Sequence, residues 1–357
     1  MIGERLKQAR DAAGLNQRDL AQAAGVSAMA ISKYERNEST PSSGVLLALA
    51  RALNVRVEYF FRQVDAQLES VNYREHELLP DLEKTKVLAD AREQIERWIG
   101  LEAFLPTPWS IPFELPADMP KRIDRYDDIE DAAIALRKSW ELGLNPVPDL
   151  IDTFESHGIK VFVTKYDGHA KFNGLAAQVN GAPVIVIGKH EHWPGDRQRF
   201  TLAHELGHLV LEGRLARKLD AEKACNRFAG AFLVPKPMVV AALGKRRSWL
   251  EPQELMLLKH EWGLSMLGWT CRARDAGVLP HVRFQSLGKL FREHGWDTKE
   301  PDPQYPHERT RLFKQLVYRA LAEDIIGESK AAELLGMSQM ELHACRKLEC
   351  AGDAVDQ

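Results

Sequence analysis

The stretch "FTLAHELGHLVLEG", residues 200–213, holds two histidines four apart, His204 and His208, with Glu205 between them. The run reads as helix, and on an α-helix residues four apart differ by about 40° around the axis. Both imidazoles therefore present to one point, as two ligands of one metal ion do. Glu205 lies about 100° from His204, beside that point rather than at it. Such a placement suits a general base acting on a water better than a third ligand. Zinc takes imidazole and carboxylate, and a catalytic zinc site uses three protein ligands. The third must come from elsewhere. "DAEKACNRFAGAFLVP", residues 220–235, offers Asp220 and Glu222, and spacing alone does not choose between them. Without that second helix, two histidines kept for packing would be the simpler reading.

These side chains need elements to hold them. From Asp127 a helical pattern (Ile129, Ala133, Leu136, Trp140) is followed by a second starting near Pro148. Three β-like runs come next, "IKVFVTKY", "NGLAAQVN" and "PVIVIG", with "NGAP" as a hairpin turn between the last two. The histidine helix follows, then the 220–235 helix, stopped by Pro235. Residues 250–285 are helical in pattern. The tail, 308–348, holds one helix and then "GESKAAELLGMSQMEL", which has helix-turn-helix spacing but no basic helix after it, and so reads as a packing module. No long repeat is evident. Before all this, "PTPWSIPFELPADMP" carries five prolines and marks a boundary, preceded by a charged, mostly helical stretch from residue 63. Residues 1–62 form a compact set of short amphipathic helices. Gly14 and Gly25 punctuate them, and Ser27 stands where it can cap the third. The expected architecture is mainly α with a small α+β part. It divides into an all-α head at 1–62, a helical and proline-rich linker at 63–125, a sheet-plus-helix domain at 126–285 and a helical C-terminal region at 286–357.

Composition sets the bounds. The chain has 357 residues, 45% hydrophobic and 28% charged, enough for more than one globular core. A net charge of −3 excludes a uniformly basic nucleic-acid coat, so any DNA contact must be local. Cys225, Cys271, Cys345 and Cys350 form no CxxC pair or framework spacing, which suits a reducing cytoplasm. No apolar stretch reaches the roughly 18–20 residues of a membrane span. A cytoplasmic protein with no membrane partner is expected.

"RQRFTLAHELGHLVLEG" followed by "EKACNRFAGAFLVP" resembles the ImmA/IrrE family of metallopeptidases, over about residues 126–240. The resemblance implies a zincin-like domain with a short antiparallel sheet. It also implies His204, His208 and Glu222 as ligands of zinc (or manganese) and Glu205 as general base; Asp220 then reads as a solvated carboxylate near the helix start, where the helix dipole favours it. Cys225 stands where that family has alanine. A small buried side chain is the plain reading; a thiolate latch on the metal, one turn after Glu222, is the bolder one. His190 and His192, just upstream, read as polar loop residues ahead of oxyanion donors.

"NQRDLAQAAGVSAMAISKYERNESTPSSGVLLALARALNV" resembles the Xre (lambda-repressor-like) helix-turn-helix family over residues 3–62. Gln17 opens the second helix, where it can hold a phosphate, and Ser27 starts the recognition helix. Ala28, Met29, Ser32 and Lys33 are then the exposed readers, with Arg5, Lys7, Arg10 and Arg18 as local positive charge. Together the two resemblances imply a homodimeric regulator that binds double-stranded operator DNA. It would carry a zinc endopeptidase that cleaves a helix-turn-helix repressor, or itself, under stress, with single-stranded DNA as a candidate activator. The alternative is a non-catalytic repressor or antitoxin whose peptidase-like domain is a zinc-bound sensor.

Overall fold

The computed structural model describes residues 2–61, 68–69, 81–105, 112–164, 172–179, 181–188 and 193–349. The head comprises α1 (Ile2–Ala12), α2 (Gln17–Ala24), α3 (Ala28–Glu35) and α4 (Ser43–Ala52), then a 3-10 turn at Val57–Phe61. Asn16 caps α2 by accepting from the Arg18 and Asp19 amides, and Ser27 caps α3 by accepting from Ala30. Between them Gly25 ends α2 at φ 68°, a left-handed conformation that costs a residue without Cβ nothing. Leu6, Leu20, Ile31, Leu49 and Phe60 fill the core of this unit.

After β1 (Leu68–Glu69), α5 (Asp81–Glu102) is no mere spacer within the 63–125 linker. Its Val87, Ala91, Ile95, Trp98 and Leu101 are buried against one face of a sheet. That sheet contains β2 (Lys160–Val163), β3 (Gly174–Val179) and β4 (Ala182–Ile187) in the order β1-β3-β4-β2. β3 and β4 form the expected antiparallel hairpin, though Asn180 of its turn lies outside the described residues. β2, by contrast, pairs parallel with β4, so the sheet is mixed rather than wholly antiparallel. β4 lies between β3 and β2, and so holds one antiparallel and one parallel pairing on its two sides.

Alternation of side chains splits the strands between two cores. Val161, Ala176, Ile185 and Ile187 face α6 (Asp128–Ser139), α7 (Leu150–Ser156), α8 (Gly195–Leu211) and α9 (Ala221–Leu233). Phe162, Leu175, Ala177, Val184 and Val186 face α5 and the C-terminal helices. The chain continues through α10 (Lys236–Leu243), α11 (Pro252–Trp262), α12 (Met266–Asp275) and α13 (His281–Glu293) to α14 (Leu312–Ala322), α15 (Glu328–Leu335) and α16 (Gln339–Arg346). Among the described residues one kind of turn occurs three times. Gly25, Gly263 and Gly336 each end a helix in the left-handed region, and two residues later Ser27, Ser265 and Ser338 each cap the helix that follows. The tail unit packs through Ala331, Ala332 and Leu334 into the core that holds Trp98. Cys345 is disulfide-bonded, which the cysteine spacing did not suggest.

The head is docked on α5. Arg5, buried, is ion-paired with Glu96 and lies over the Tyr59 ring, and Arg56 donates to the Met337 carbonyl at 2.7 Å. No described helix is long and apolar enough to cross a membrane.

Glu155 on α7 is buried, and desolvation, helped by Asp152, pushes its carboxyl up to about 8. The native state therefore holds this proton where the unfolded chain has released it. Stability must fall as pH rises from the ordinary carboxylate range, about 4.5, through about 8. Thermal melts of Glu155→Gln should lose that component of the slope, with a higher Tm than the parent at pH 8 and little difference at pH 4. A parallel pH dependence in both proteins would refute it.

Candidate metal centre and DNA-binding face

α8 is set by its N-terminal half before any ligand appears. Arg199, buried, is ion-paired with Glu308 and donates to the Val147 carbonyl at 2.6 Å. Gln198 exchanges two hydrogen bonds with the Glu308 backbone, at 3.1 and 2.8 Å. Asp196 faces Lys259 at 3.3 Å, and Lys259 also reaches Glu300 at 2.9 Å. The segment 300–308 is thereby strapped across the start of α8, which holds the helix in rotation and depth.

α9 lies against α8 where Gly207 removes a side chain. A Cβ there would stand 3.2 Å from Cys225 Cα and 3.3 Å from its Cβ. Cys225 is buried in this contact and belongs to the hydrophobic core. The cluster of ligand atoms within 4.8 Å of one another consists of His204, His208 and Glu222, with Cys225 outside it. The plain reading of Cys225 accords with that position.

The two ring nitrogens and the Glu222 carboxylate make a triangle. His204 Nε2 lies 3.1 Å from His208 Nε2 and 3.2 Å from Glu222 Oε2, and His208 Nε2 lies 3.5 Å from Glu222 Oε1. Bonds of about 2.0–2.1 Å to a tetrahedral zinc place ligands ~3.3 Å apart, so the observed edges bracket the requirement. These residues fit the ion. Asp220, the other carboxylate left open by spacing, caps α9 by accepting from Lys223 N at 3.0 Å. Asn226, which spacing did not single out, accepts from His204 Nδ1 at 3.0 Å. That bond puts the proton on Nδ1 and leaves the Nε2 lone pair for a metal, as second-layer partners of zinc histidines do. Its position one turn after Glu222 was the available signal.

Glu205 is 3% exposed and His204 5%. The Glu205 carboxylate lies over β3: a Cβ at Gly174 would meet Glu205 Oε1 at 3.0 Å. Glu205 thus lies beside the strand next to the sheet edge, on the helix that carries both histidines. His190 and His192 lie outside the described residues.

In the head, Met29 is 69% exposed and Lys33 is exposed on the same helix, while Ala28 and Ser32 are half-buried beside them. The Ser27 hydroxyl is spent on the α3 cap. Gln17 donates to Glu35 at 2.7 Å, and Arg10 donates to the same carboxylate at 2.6 Å. Two of the four cations expected to meet phosphate are therefore occupied: Arg10 by Glu35 and Arg5, buried, by Glu96. A desolvated cation is held by its internal carboxylate, which leaves Lys7 and Arg18 exposed for that role.

Residues 6–60 match the helix-turn-helix family, and residues 154–267 match the peptidase family described as the IrrE N-terminal-like domain. The chain is thus a helix-turn-helix domain joined to an IrrE-like peptidase-type domain. It is 41% identical over 64 residues to an uncharacterized transcriptional regulator in the ATPase CF(0) region of Rhodospirillum rubrum, covering 18% of this chain and 59% of that protein. It is 34% identical over 77 residues to repressor protein C2 of Salmonella phage P22, covering 22% of this chain and 36% of the repressor. The chain thus spans less than two thirds of either relative. Among solved structures, apo ComR of S. thermophilus is 12% identical with 98% of this chain and 95% of that one covered, at a TM-score of 0.16. Bacillus thuringiensis PlcR, solved with the peptide PapR7 and DNA, is 12% identical with 98% and 99% covered, also at 0.16. Scores this low establish no shared fold.

About one zinc per chain is expected, lost on His204→Ala, His208→Ala or Glu222→Ala and retained in Asp220→Ala. Asn226→Ala should weaken zinc about 10- to 100-fold. Metal content by elemental analysis checks the set, and retention in Glu222→Ala with loss in Asp220→Ala would reverse the choice of ligand.

Proposed function

We propose that this chain is a DNA-binding transcriptional regulator whose second domain is a zinc-dependent endopeptidase. The supporting observation is the His204–His208–Glu222 triangle at tetrahedral edge lengths with the Glu205 carboxylate buried beside it. Zinc, when bound, supplies Lewis acidity toward the attacking water and the scissile carbonyl. Glu205 takes the proton of that water and delivers it to the leaving amine. Burial beside Gly174 keeps this carboxylate in one place, and Asn226 holds the His204 ring in its metal-facing orientation.

The substrate is an extended peptide segment. β1, from the chain's own linker, pairs antiparallel with β3, Leu68 opposite Val179 and Glu69 opposite Gln178. This is the mode by which strands add to a sheet edge. A separate helix-turn-helix repressor is favoured over the chain itself. The linker helix α5 is packed on the sheet face opposite α8, with Ile95 and Leu101 fully buried, so its peptide bonds are protected in the folded state. Self-cleavage, where it occurs, should fall in irregular, partly exposed chain such as 112–118. Stress, or a damage product such as single-stranded DNA, is the proposed trigger, and the regulator is proposed to work in the cytoplasm.

The head is proposed to read an operator through α3, with Met29 and Lys33 toward the major groove and Gln17, Ser27, Ala28 and Ser32 around them. One recognition helix covers a half-site, so a homodimer on palindromic DNA is expected.

Glu205→Gln should retain zinc and DNA binding yet lose at least about 10²-fold in peptide hydrolysis, the contribution typical of a general base. Mass spectrometry of candidate repressors incubated with both proteins reads this. Equal cleavage by Glu205→Gln would remove Glu205 as the base, and none by either protein under any trigger favours the sensor alternative.

Lys33→Ala should weaken operator binding and lower its salt slope by about one, while Met29 substitutions change the preferred sequence. Binding titrations on selected operators measure both, and undiminished affinity after deletion of 1–62 would remove the assignment.

A further inference from the structure

Behind the ligand triangle lies a cavity of about 480 Å³, walled by α8, α9 and α12. It falls within the range of about 300–1,000 Å³ common to small-molecule sites. Phe200, Leu264 and Leu267 give it an apolar floor, and Gly230 and Gly268 let Arg272 and Leu264 lie close against the backbone of its wall. Burial pushes the Cys271 thiol up, so this wall too is neutral. Four cations line the cavity, Lys223, Arg227, Arg272 and Arg274, against one lining carboxylate, Asp275. The pairing around them is incomplete. Glu130 binds Arg272 at 2.7 and 2.9 Å and Arg227 at 3.1 Å. Asp275 serves both Arg227, at 2.9 Å, and Arg274, at 2.8 Å. Asp127, largely exposed, reaches Arg227 at 3.3 Å. Four positive charges thus face three negative ones. Lys223 is exposed, with no ion pair among the described residues, and the Arg274 side chain is 38% exposed with both of its bonds on one Asp275 oxygen.

We propose that this cavity binds a small amphiphilic anion, an apolar body bearing a carboxylate or similar group. The body occupies the space over Phe200, Leu264 and Leu267, and the anion meets Lys223 and the open edge of Arg274. The site is not the peptidase cleft. Asn226 stands on its wall and touches His204 through Nδ1, the nitrogen turned away from the ligand triangle. Occupancy orders Asn226 and tightens the His204 ring against a bound metal. This coupling rests on the metal reading given above; the cavity's own binding does not.

The test uses the full chain, first without zinc, so that absence of metal binding leaves it readable. 8-Anilino-1-naphthalenesulfonate should bind one saturable site, be displaced by octanoate, and be displaced by octylamine at least tenfold less well. Leu267→Trp, which fills the cavity, should abolish the site, and Lys223→Glu should weaken it tenfold or more. Circular dichroism confirms that each variant is folded. With zinc loaded, octanoate should slow metal loss to a chelator threefold or more in the parent and not in Asn226→Ala. No saturable site, binding unchanged by Leu267→Trp, or equal displacement by octylamine overturns the ligand site. An unaltered chelation rate with octanoate bound overturns the coupling.

Discussion

The approach of two helices at Gly207 is the constraint on which the candidate metal centre depends. α8 and α9 meet with the Gly207 backbone nearly against Cys225, and Phe228 closes the same contact. A Cβ at 207 would stand 3.2–3.3 Å from Cys225 and Phe228, so α9 would have to give by a few tenths of an ångström, and by more for a longer side chain. Glu222 lies one turn before Cys225 and Asn226 directly after it, so the same shift would draw both from the histidines. The ligand triangle is therefore a by-product of backbone packing: α8 supplies two corners by its own periodicity, and the contact supplies the third.

Such a contact needs both helices fixed independently. α8 is held by buried charge at its start, where Arg199 meets Glu308 and Lys259 meets Asp196 and Glu300. α9 is held by a comparable device. Glu130 from α6 joins Arg227 of α9 to Arg272 of α12, and Arg272 in turn donates to the Val234 carbonyl at the end of α9. Buried ion pairs contribute little net stability, but they tolerate little displacement, since each broken bond leaves a desolvated charge. In this domain their effect is positional.

The mixed sheet links this centre to the helix-turn-helix head. One face carries the core beneath α8 and α9, and the other carries α5, on which α1 rests through Arg5 and Glu96. The C-terminal helices pack on the same side, and the Met337 carbonyl accepts from Arg56 of the head. The head is thus seated on the body by buried and backbone contacts rather than tethered to it by extended chain.

Periodicity and end chemistry made much of this legible in the sequence. The i, i+4 relation alone aims His204 and His208 at one point and leaves Glu205 beside it, because helix geometry is local. Gly25 and Ser27 likewise set the helix-turn-helix bend, and Pro235 ends α9. Relations between elements were not legible, because they depend on which surfaces meet. Asp220 and Glu222 are equivalent by spacing; only the docking of α9 on α8 turns one toward the histidines and leaves the other as a cap. Arg5 and Arg10 read as phosphate partners until burial showed them held by Glu96 and Glu35. The parallel pairing of β2, the packing of the 63–125 segment onto the sheet and the role of Asn226 belong to the same class. Local rules determine what each residue offers, and tertiary packing decides to which partner it is offered.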